Sequence, residues 1–364
     1  MKILLSFELW VLSFLLCVPP FHACAESPAR VTREAVLRDT ASKVIVPACQ
    51  ELLAKSRSLT NAIDELTRSP SSNTLALARQ TWTATMLAAR AVQGYEAGPL
   101  TEHDAAPVFF YSLILPARIT GVLNSLRSID ASYVEELGSP AKGLFALEHL
   151  LFGPRPAAAG AVKSASPLDT LAGPQGPRLA AYLRVLAQDV ETRAALVAAD
   201  WSAPEGAAKK FIAAGQESIN TLVNQLAQHL ELAAENRLGF VLRLPEPIAR
   251  QYHRIECSPS GTSQQSVRAL LACIQRLYRA GDGAGLDDLV NQLNPDLARR
   301  IEAQFAATLS AVDALAAPLE DAVLKDRAAL QSAYDQARAL EILFKVDLAS
   351  TLGVTITFGS NDGD

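Results

Sequence analysis

The sequence predicts an all-α protein made of two helical-bundle domains that pack against each other, with a long loop between them. In nearly every long segment the apolar residues recur with the helical period of about 3.6 residues, and the alternation typical of strands is scarce. Residues 153–177 interrupt this pattern, because they are rich in Pro, Gly, Ala and Ser and have no apolar period. A chain of 364 residues also suits two domains of about 150 residues each.

The first 25 residues have the features of a cleaved export signal. The apolar stretch 9–18 is too short for a membrane-spanning helix, which needs about 20 residues, and Ala23-Cys24-Ala25 offers the small residues that signal peptidase recognises. We therefore expect a signal peptide over 1–25 and a periplasmic location. Cys24 offers the alternative of a lipid anchor, although residues 21–23 lack the aliphatic residue usual in lipoprotein signals. Only such an anchor would attach the chain to a membrane.

The N-terminal domain, residues 30–155, is predicted to begin with a helix over 33–68 that Pro47 kinks or splits. Capping residues and first-turn prolines predict where the later helices start. These starts are Ser71-Ser72-Asn73 for a helix running to Gln93, Asp104 with Pro107, Asp130 for a short element, and Pro140 for the helix that contains residues 144–152.

The C-terminal domain is predicted over 178–364, after a linker over 156–177. Its apolar period predicts helices over about 178–200, 204–237, 263–280, 295–316 and 319–350, with first-turn prolines at Pro204 and Pro295. Residues 354–358 alternate briefly before a polar end.

Charge and cysteine content narrow the classes of function. The net charge is −5, so the chain offers no basic field and nucleic-acid binding is not expected.

Cys49, Cys257 and Cys273 remain after cleavage of the signal. An oxidising compartment permits a disulfide, for which Cys257 and Cys273 are the nearest pair in sequence, and Cys49 is then a small buried hydrophobe.

One helix carries an acid within its apolar face. At about 100° per residue, Leu144 and Phe152 lie on one arc together with Phe145, Leu147 and Leu151, and Glu148 falls inside this arc. A carboxylate in that position either lines a cavity or is buried against a partner, because an isolated buried charge is costly. His149 lies at the edge of the same face.

Two interpretations of Glu148 stay open at this point. A structural one pairs it with an arginine, for which Arg90 and Arg118 are the candidates, and a functional one gives it a ligand. His149 by itself is more typical of a helix surface than of a metal site. Since Glu148 and His149 diverge by about 100° on a helix, they do not readily hold one ion together.

The segment Gly143-Leu-Phe-Ala-Leu-Glu148-His-Leu-Leu-Phe-Gly153 resembles the central motif of imelysin-like proteins, a Gly-x-His-x-x-Glu helix that continues into Leu-Leu and a Gly. Further similarities extend along nearly the whole mature chain. They are Trp82, Arg90, Tyr95-Glu96-Ala-Gly-Pro99, Glu256-Cys-Ser-Pro-Ser260-Gly-Thr-Ser263, and the segment 352–358 with Asp362-Gly-Asp364.

This resemblance implies a helical protein with two bundle-like domains, a site between them, and a part in bacterial iron uptake; a peptidase activity has been claimed for some members. It also implies that Glu256, Ser260 and Ser263 face Glu148 across the domain junction. The local pattern favours a plainer role for this run, with Thr262 or Ser263 as the N-cap of the next helix.

The chain departs from the motif at one position, since Phe145 stands where the family has its histidine. Side chains three apart on a helix share a face, so the motif histidine and glutamate converge, but Phe145 cannot bind a metal. Gly143, Phe145 and Gly153 therefore remain as the motif's scaffold, and Glu148 remains as a doubtful metal ligand. A metallopeptidase needs about three protein ligands and an open position, and no His-Glu-x-x-His pattern is present.

Three functions follow from these observations. The first is an exported, non-catalytic protein of iron uptake that binds a ligand in an interdomain cleft around Glu148. Iron or another divalent cation is the candidate ligand, and iron-transport components of the envelope are the candidate partners. The second function is that of a metal-dependent peptidase of the imelysin type. The third is that of a structural or interaction protein whose site has degenerated, as Phe145 permits.

Overall fold

The computed structural model describes residues 30–155, 166–315 and 318–357, and all regular structure in these ranges is helical, as predicted. The expected signal peptide, the lipid site at Cys24 and residues 358–364 lie outside the described residues. Within them, no helix is long and apolar enough to span a bilayer.

Nineteen α-helices follow one another along the described chain. They are α1 (Arg33–Asp39), α2 (Val46–Arg68), α3 (Ser72–Gln93), α4 (Pro99–Glu102), α5 (Ala106–Phe110), α6 (Pro116–Asn124), α7 (Ala131–Glu136), α8 (Gly143–Phe152), α9 (Pro167–Ala172), α10 (Gly176–Ser202), α11 (Ala207–Ala213), α12 (Gln216–Glu231), α13 (Phe240–Leu242), α14 (Ser263–Tyr278), α15 (Leu286–Leu293), α16 (Pro295–Asp313), α17 (Leu319–Lys325), α18 (Arg327–Ile342) and α19 (Ala349–Leu352). Three π-helical segments, Thr40–Ile45, Leu232–Gly239 and Leu343–Leu348, join neighbouring helices, and Ser139–Ala141 and Ile248–Arg254 are 3₁₀ turns.

The first predicted helix forms over its full length, and Pro47 does not break it. The π-helical segment Thr40–Ile45 precedes the proline, and the Val46 N–H donates to the Ala41 carbonyl five residues back. This wider turn changes the hydrogen-bond register immediately before a residue that has no N–H to donate.

Several predicted helix ends are confirmed and two are wrong. Ser71 caps α3 by accepting from the Thr74 N–H, and Asp130 caps α7 by accepting from the Tyr133 N–H. Asp104 does not cap α5, because its backbone adopts a φ of +48° and Ala105 occupies the cap position. Pro140 lies in the 3₁₀ turn before α8, which begins at Gly143.

The C-terminal helices are more interrupted than predicted. The expected helix over 204–237 begins only at Ala207, beyond Pro204, and breaks at Gly215, where φ is +57°. The expected helix over 319–350 breaks at Asp326, whose carboxylate caps α18 by accepting from the Ala329 N–H. Helix α15 was not predicted, and α9 lies within the segment predicted as linker.

The described residues from Val31 onward form one compact unit that contains two groups of packed helices. Helices α2, α3, α8 and α10 form one group, and α12, α14, α16 and α18 form the other. The main contact between the groups is that of α3 with α14. Helix α10 follows the predicted linker, yet it packs most extensively against α2. The division of the chain into domains at 156–177 stays a prediction.

The predicted Cys257–Cys273 disulfide is wrong, and Cys49, Cys257 and Cys273 are all buried thiols. Cys257 lies in the turn before α14 with a φ of +58°. Cys273 lies far along α14, where its sulfur is 3.0 Å from the Ala91 carbonyl oxygen on α3. The two thiols therefore face different neighbours. Burial raises the pKa of Cys49 to about 12, in line with its predicted role as a buried hydrophobe.

The start of α8 depends on a glycine. Gly143 has a φ of +76°, and a Cβ atom added there would lie 2.2 Å from the Val108 carbonyl oxygen in α5. We expect Gly143→Ala to lower the free energy of unfolding in urea by about 3 kcal/mol, since left-handed backbone costs an L-residue about 1–2 kcal/mol and overpacking about 1–3 kcal/mol.

Alanine variants at two other glycines distinguish the backbone cost from the overpacking cost. Gly98 has a φ of +72°, but nothing lies within 4 Å of the methyl group that an alanine would add. Its ψ of −129° lies in a region that L-residues rarely adopt, so Gly98→Ala should lose only the backbone part, about 1–3 kcal/mol. Gly121, within α6, has free space and no positive φ, so Gly121→Ala should be neutral or stabilise by up to about 1 kcal/mol. Equal stability of the Gly143 and Gly121 variants would contradict the close approach of α8 to α5.

Candidate functional site

The site is built around α8, which its neighbours hold in place. The Trp82 indole N–H of α3 donates to the Leu144 carbonyl oxygen at 2.8 Å, and the Arg79 Nε–H donates to the Leu151 carbonyl oxygen at 2.9 Å. Glu148 lies in the middle of this helix and is only 3% exposed. The expected position of this acid within an apolar, buried face is therefore confirmed.

Glu148 reaches across the junction between the two helix groups. Its Oε1 accepts a hydrogen bond from the Ser260 backbone N–H at 3.0 Å, in the turn that precedes α14. Burial raises the pKa of Glu148 to about 7 against the effect of the Ser260 hydrogen bonds, and the nearby Glu256 and Glu320 carboxylates raise it further. The carboxyl group therefore changes charge near neutral pH.

Of the two interpretations left open for Glu148, the one that pairs it with Arg90 or Arg118 is wrong. Arg118 is exposed on α6, and Arg90 is fully buried but pairs with Glu256 instead. No arginine, lysine or histidine forms an ion pair with Glu148 among the described residues.

Arg90 and Glu256 form the centre of a junction cluster that also contains Gln93, Arg237 and Ser266. The Arg90 guanidinium donates to Glu256 at 2.6 Å, to Gln93 at 2.6 Å and to the Ser266 hydroxyl at 2.9 Å. Nη2 of Arg237 donates to the same Glu256 carboxylate at 3.2 Å and lies 3.4 Å from Gln93 Oε1. Burial opposes the ionisation of Glu256, but Arg237 and Arg90 together hold the pKa of its carboxyl below the ordinary value.

Arg237 is incompletely paired. It is 6% exposed, and its Nε and Nη1 atoms have no hydrogen-bond acceptor in the part of the chain that the structure describes. Burial lowers the pKa of Arg237 to about 10, because Glu256 offsets only part of the lost hydration. Two buried arginines thus share one carboxylate.

Phe145 lies beside this cluster. The Arg90 guanidinium carbon is 5.7 Å from the Phe145 ring centroid and 5.8 Å from that of Phe110, distances at which a cation is attracted to an aromatic ring. The residue that stands at the motif's histidine position therefore contacts an arginine through its ring.

A second acidic group flanks the junction cluster. Ser263 donates to Glu320 at 2.7 Å and accepts from the Leu319 N–H at 2.9 Å. Arg155 donates to Glu320 at 3.0 Å and to Asp321 at 2.7 Å, which ties the chain after α8 to α17. Thr262 holds the N-cap position of α14, as predicted, but its side chain makes no capping hydrogen bond, and the Ser263 hydroxyl accepts from the first residue of α17 instead.

A pocket of about 360 Å³ opens beside the junction cluster. Its apolar lining includes Phe240, Val241 and Leu319. Its polar lining consists of Ser112, Glu235, Asn236, Arg237, Arg243, Arg254, Glu256 and Ser263. We call it the junction pocket.

Ser260 contacts Glu148 and Glu256 lies near it, as the resemblance implies, whereas Arg90 pairs with Glu256 and Ser263 with Glu320. It places His149 half-buried beside Glu148 in sequence, where burial lowers the pKa of the imidazole. That these residues and Arg118 bind a ligand stays a prediction.

Sequence reasoning missed Arg237, Gln93, Arg155 and Glu320. For Arg237 a signal was available, because it lies among Ala233, Ala234 and Leu238 in a buried helical stretch, as Glu148 does in α8.

The residues around Glu148 fit a bound metal ion poorly. Within the described ranges, no three His, Cys, Asp or Glu side chains are grouped as metal ligands. Glu256 is committed to two arginines and Glu320 to Arg155 and Ser263, while one oxygen of Glu148 takes a backbone N–H. A structural or catalytic ion needs about three or four convergent ligands.

Comparisons with known proteins extend the sequence resemblance. The imelysin family model matches residues 45–344. The chain is 23% identical over 311 residues to iron-regulated protein A of Synechococcus elongatus, covering 82% of this chain and 80% of that protein.

Two solved structures share the fold. A crystal structure of an iron-regulated protein A precursor from Parabacteroides distasonis superposes with a TM-score of 0.74 at 17% identity, over 90% of this chain and 97% of that one. An imelysin-like protein from Psychrobacter arcticum superposes with a TM-score of 0.66 at 18% identity, over the same shares.

The unpaired state of Glu148 gives a testable pH dependence. Because its folded pKa of about 7 lies above the ordinary value of 4.5, the folded chain binds the extra proton between these values. Its favourable contribution is complete below pH 4.5 and is lost as the pH rises through 7. Glu148→Gln keeps an acceptor for Ser260 without a charge, so it should be more stable than the wild type at pH 8, by up to about 3 kcal/mol. Urea unfolding from pH 4.5 to 8 measures the difference, which should vanish at the acidic end.

Glu256→Gln is the matched control for this prediction. Since Arg237 and Arg90 keep the pKa of Glu256 low, its removal leaves two buried cations without their carboxylate and should destabilise the protein at pH 8 by about 3 kcal/mol or more. A Glu148→Gln variant that is less stable than the wild type at pH 8 would show that Glu148 is ion-paired after all.

Proposed function

The chain belongs to the imelysin family, and from this premise we propose that it is an exported protein of iron acquisition that binds a ligand around Glu148 without hydrolysing it. The observation that carries the proposal is the environment of this acid. It is buried at the junction of two helix groups, accepts a hydrogen bond from the Ser260 N–H and has no cationic partner among the described residues.

Such an arrangement costs stability. A buried carboxyl with a pKa near 7 and a buried arginine with free donors both lose hydration that their neighbours do not replace. Perturbed groups of this kind that converge beside a pocket are typical of ligand sites. Arg237 and Glu256 line the junction pocket, whereas Glu148 is not one of its lining residues and lies next to it through Ser260 and Glu256.

The residues favour binding over metal-assisted hydrolysis. Phe145 offers no ligand atom at the motif's histidine position, and its ring contacts Arg90. A metallopeptidase needs metal ligands and an open position where water is activated, and the carboxylates near Glu148 are engaged with arginines instead.

The part in iron acquisition rests on the relatives, of which two are named iron-regulated protein A. The amino-terminal 25 residues support export to the periplasm, where iron-transport components of the envelope would be the partners. The described residues fit a bare metal ion poorly. The ligand in this proposal is therefore a compound that contains iron, or a ligand that a partner protein carries, and not an ion held by side chains of this chain.

A growth experiment tests the iron function. A source strain without the gene should grow more slowly under iron limitation, and plasmid-borne wild type should restore growth. Glu148→Gln should restore it poorly although it folds, since the variant lacks the acid that the ligand meets. Glu205→Gln, a change at a surface residue paired with Lys209, is the matched control and should restore growth fully. Full rescue by Glu148→Gln would remove Glu148 from the function.

A protease assay tests the absence of hydrolysis. Denatured casein incubated with the purified mature protein should stay at full length on gels, with and without added Zn²⁺. Cleavage that EDTA abolishes would establish the metallopeptidase alternative.

A further inference from the structure

We infer that the junction pocket binds a singly charged carboxylate with an apolar body, and that Arg237 is the residue that holds the carboxylate. This inference rests on the proposed ligand-binding function and adds the chemical class of the ligand. It starts from an imbalance of charge in the junction cluster.

Among the hydrogen-bonded residues of the junction cluster the positive charges outnumber the negative ones by one, and the Glu96 and Glu148 carboxyl groups lie nearby without bonding to either arginine. Arg90 and Arg237 carry two positive charges, and both donate to the single carboxylate of Glu256. Gln93 and Ser266 contribute dipoles but no charge. Since an uncompensated buried charge is costly, one additional negative charge would stabilise the cluster.

Arg237 also has donors to offer. A guanidinium group carries five N–H bonds, one on Nε and two on each Nη. Nη2 is used by Glu256 and Gln93, whereas Nε and Nη1 have no acceptor among the described residues. Three N–H bonds of a nearly buried arginine are thus without a partner, and hydrogen bonds from a guanidinium to a carboxylate are among the stronger ones in proteins.

The pocket next to Arg237 limits the size of the ligand and favours a ligand with an apolar body. Its volume of about 360 Å³ is at the lower end of the range for small-molecule sites. Phe240, Val241 and Leu319 supply its apolar lining. Of the polar lining, Ser263 is engaged with Glu320, and Arg243 donates to Glu235. Arg254 lies over the Phe240 ring at the exposed side, with 5.2 Å between its guanidinium carbon and the ring centroid.

The charge balance favours a carboxylate over phosphate. One added negative charge neutralises the cluster, whereas a phosphate group carries more than one at neutral pH and would face the adjacent Glu256. An apolar body would bury the wall formed by Phe240 and its neighbours, which inorganic phosphate cannot do.

A pair of matched probes tests the inference on the full mature chain. Isothermal titration at pH 7 and low salt compares phenylacetate, its uncharged analogue phenylacetamide, and inorganic phosphate. We expect phenylacetate to bind at least about tenfold more tightly than either, because only it supplies both the charge and the apolar body. Equal binding of phenylacetamide, tighter binding of phosphate, or no binding of phenylacetate would overturn the inference.

Two variants connect the binding to Arg237. Arg237→Gln should weaken phenylacetate binding at least about tenfold, and Arg237→Lys should retain part of it through the charge. Folding should survive both, because Glu256 keeps Arg90, and circular dichroism melting checks this. Arg268→Gln on α14, whose side chain pairs with Asp313 away from the pocket, is the control and should bind like the wild type. Undiminished binding by a folded Arg237→Gln would overturn the assignment.

These outcomes separate the inference from the proposed function. Impaired rescue of growth by Glu148→Gln together with no binding of phenylacetate would leave the iron function standing and remove the carboxylate site. Binding that depends on Arg237, together with full rescue by Glu148→Gln, would do the reverse.

Discussion

The ion pair between Arg90 and Glu256 is the interaction on which the junction of the two helix groups depends. It joins α3 to the turn before α14, between residues that are 166 positions apart in the chain. The Arg90 side chain is fully buried and that of Glu256 is 17% exposed. Removing one partner of such a pair costs about 3–5 kcal/mol, because the other is left charged in an apolar setting. The Arg90–Glu256 pair therefore holds the turn before α14 in place. In this turn the Ser260 N–H donates to Glu148.

The other charged groups near this pair differ in how completely they are paired. Glu320 pairs with Arg155 and accepts a hydrogen bond from the Ser263 hydroxyl, and the ion pair fastens the chain after α8 to α17. Arg237 shares Glu256 with Arg90 and keeps unpaired donors, and Glu148 has a hydrogen bond but no counter-ion among the described residues. Packing alone does not account for both exceptions, since apolar residues of similar volume would avoid the desolvation cost at either position. The proposed ligand site and the inferred carboxylate site therefore rest on these two under-compensated groups.

Much of this was visible in the sequence, because burial within a helix is a local property. The apolar period around Glu148 predicts an acid inside a buried face, and the same reasoning applied to the stretch around Arg237 would have found the second group. Capping by Ser71 and Asp130 was equally local. The ion-pair partners could not be predicted in this way, because the apolar period of a helix does not indicate whether Arg90 pairs with Glu148 or with Glu256. The left-handed backbone at Asp104 and Cys257 was also hidden, since neither residue type requires it.

The substitution at Phe145 acquires a physical meaning in this setting. An imidazole at that position would offer hydrogen-bonding and metal-binding nitrogens beside Glu148, three residues along the same helix face. The phenyl ring instead lies within cation–π distance of Arg90 and accepts no hydrogen bond from it. The hydrogen bonds of Arg90 go to Glu256, Gln93 and Ser266. Without the imidazole this helix face has one ligand fewer for a cation, whereas Arg90 and Arg237 still donate to the single carboxylate of Glu256. The carboxylate site inferred at Arg237 rests on these two guanidinium groups and does not require a histidine in place of Phe145.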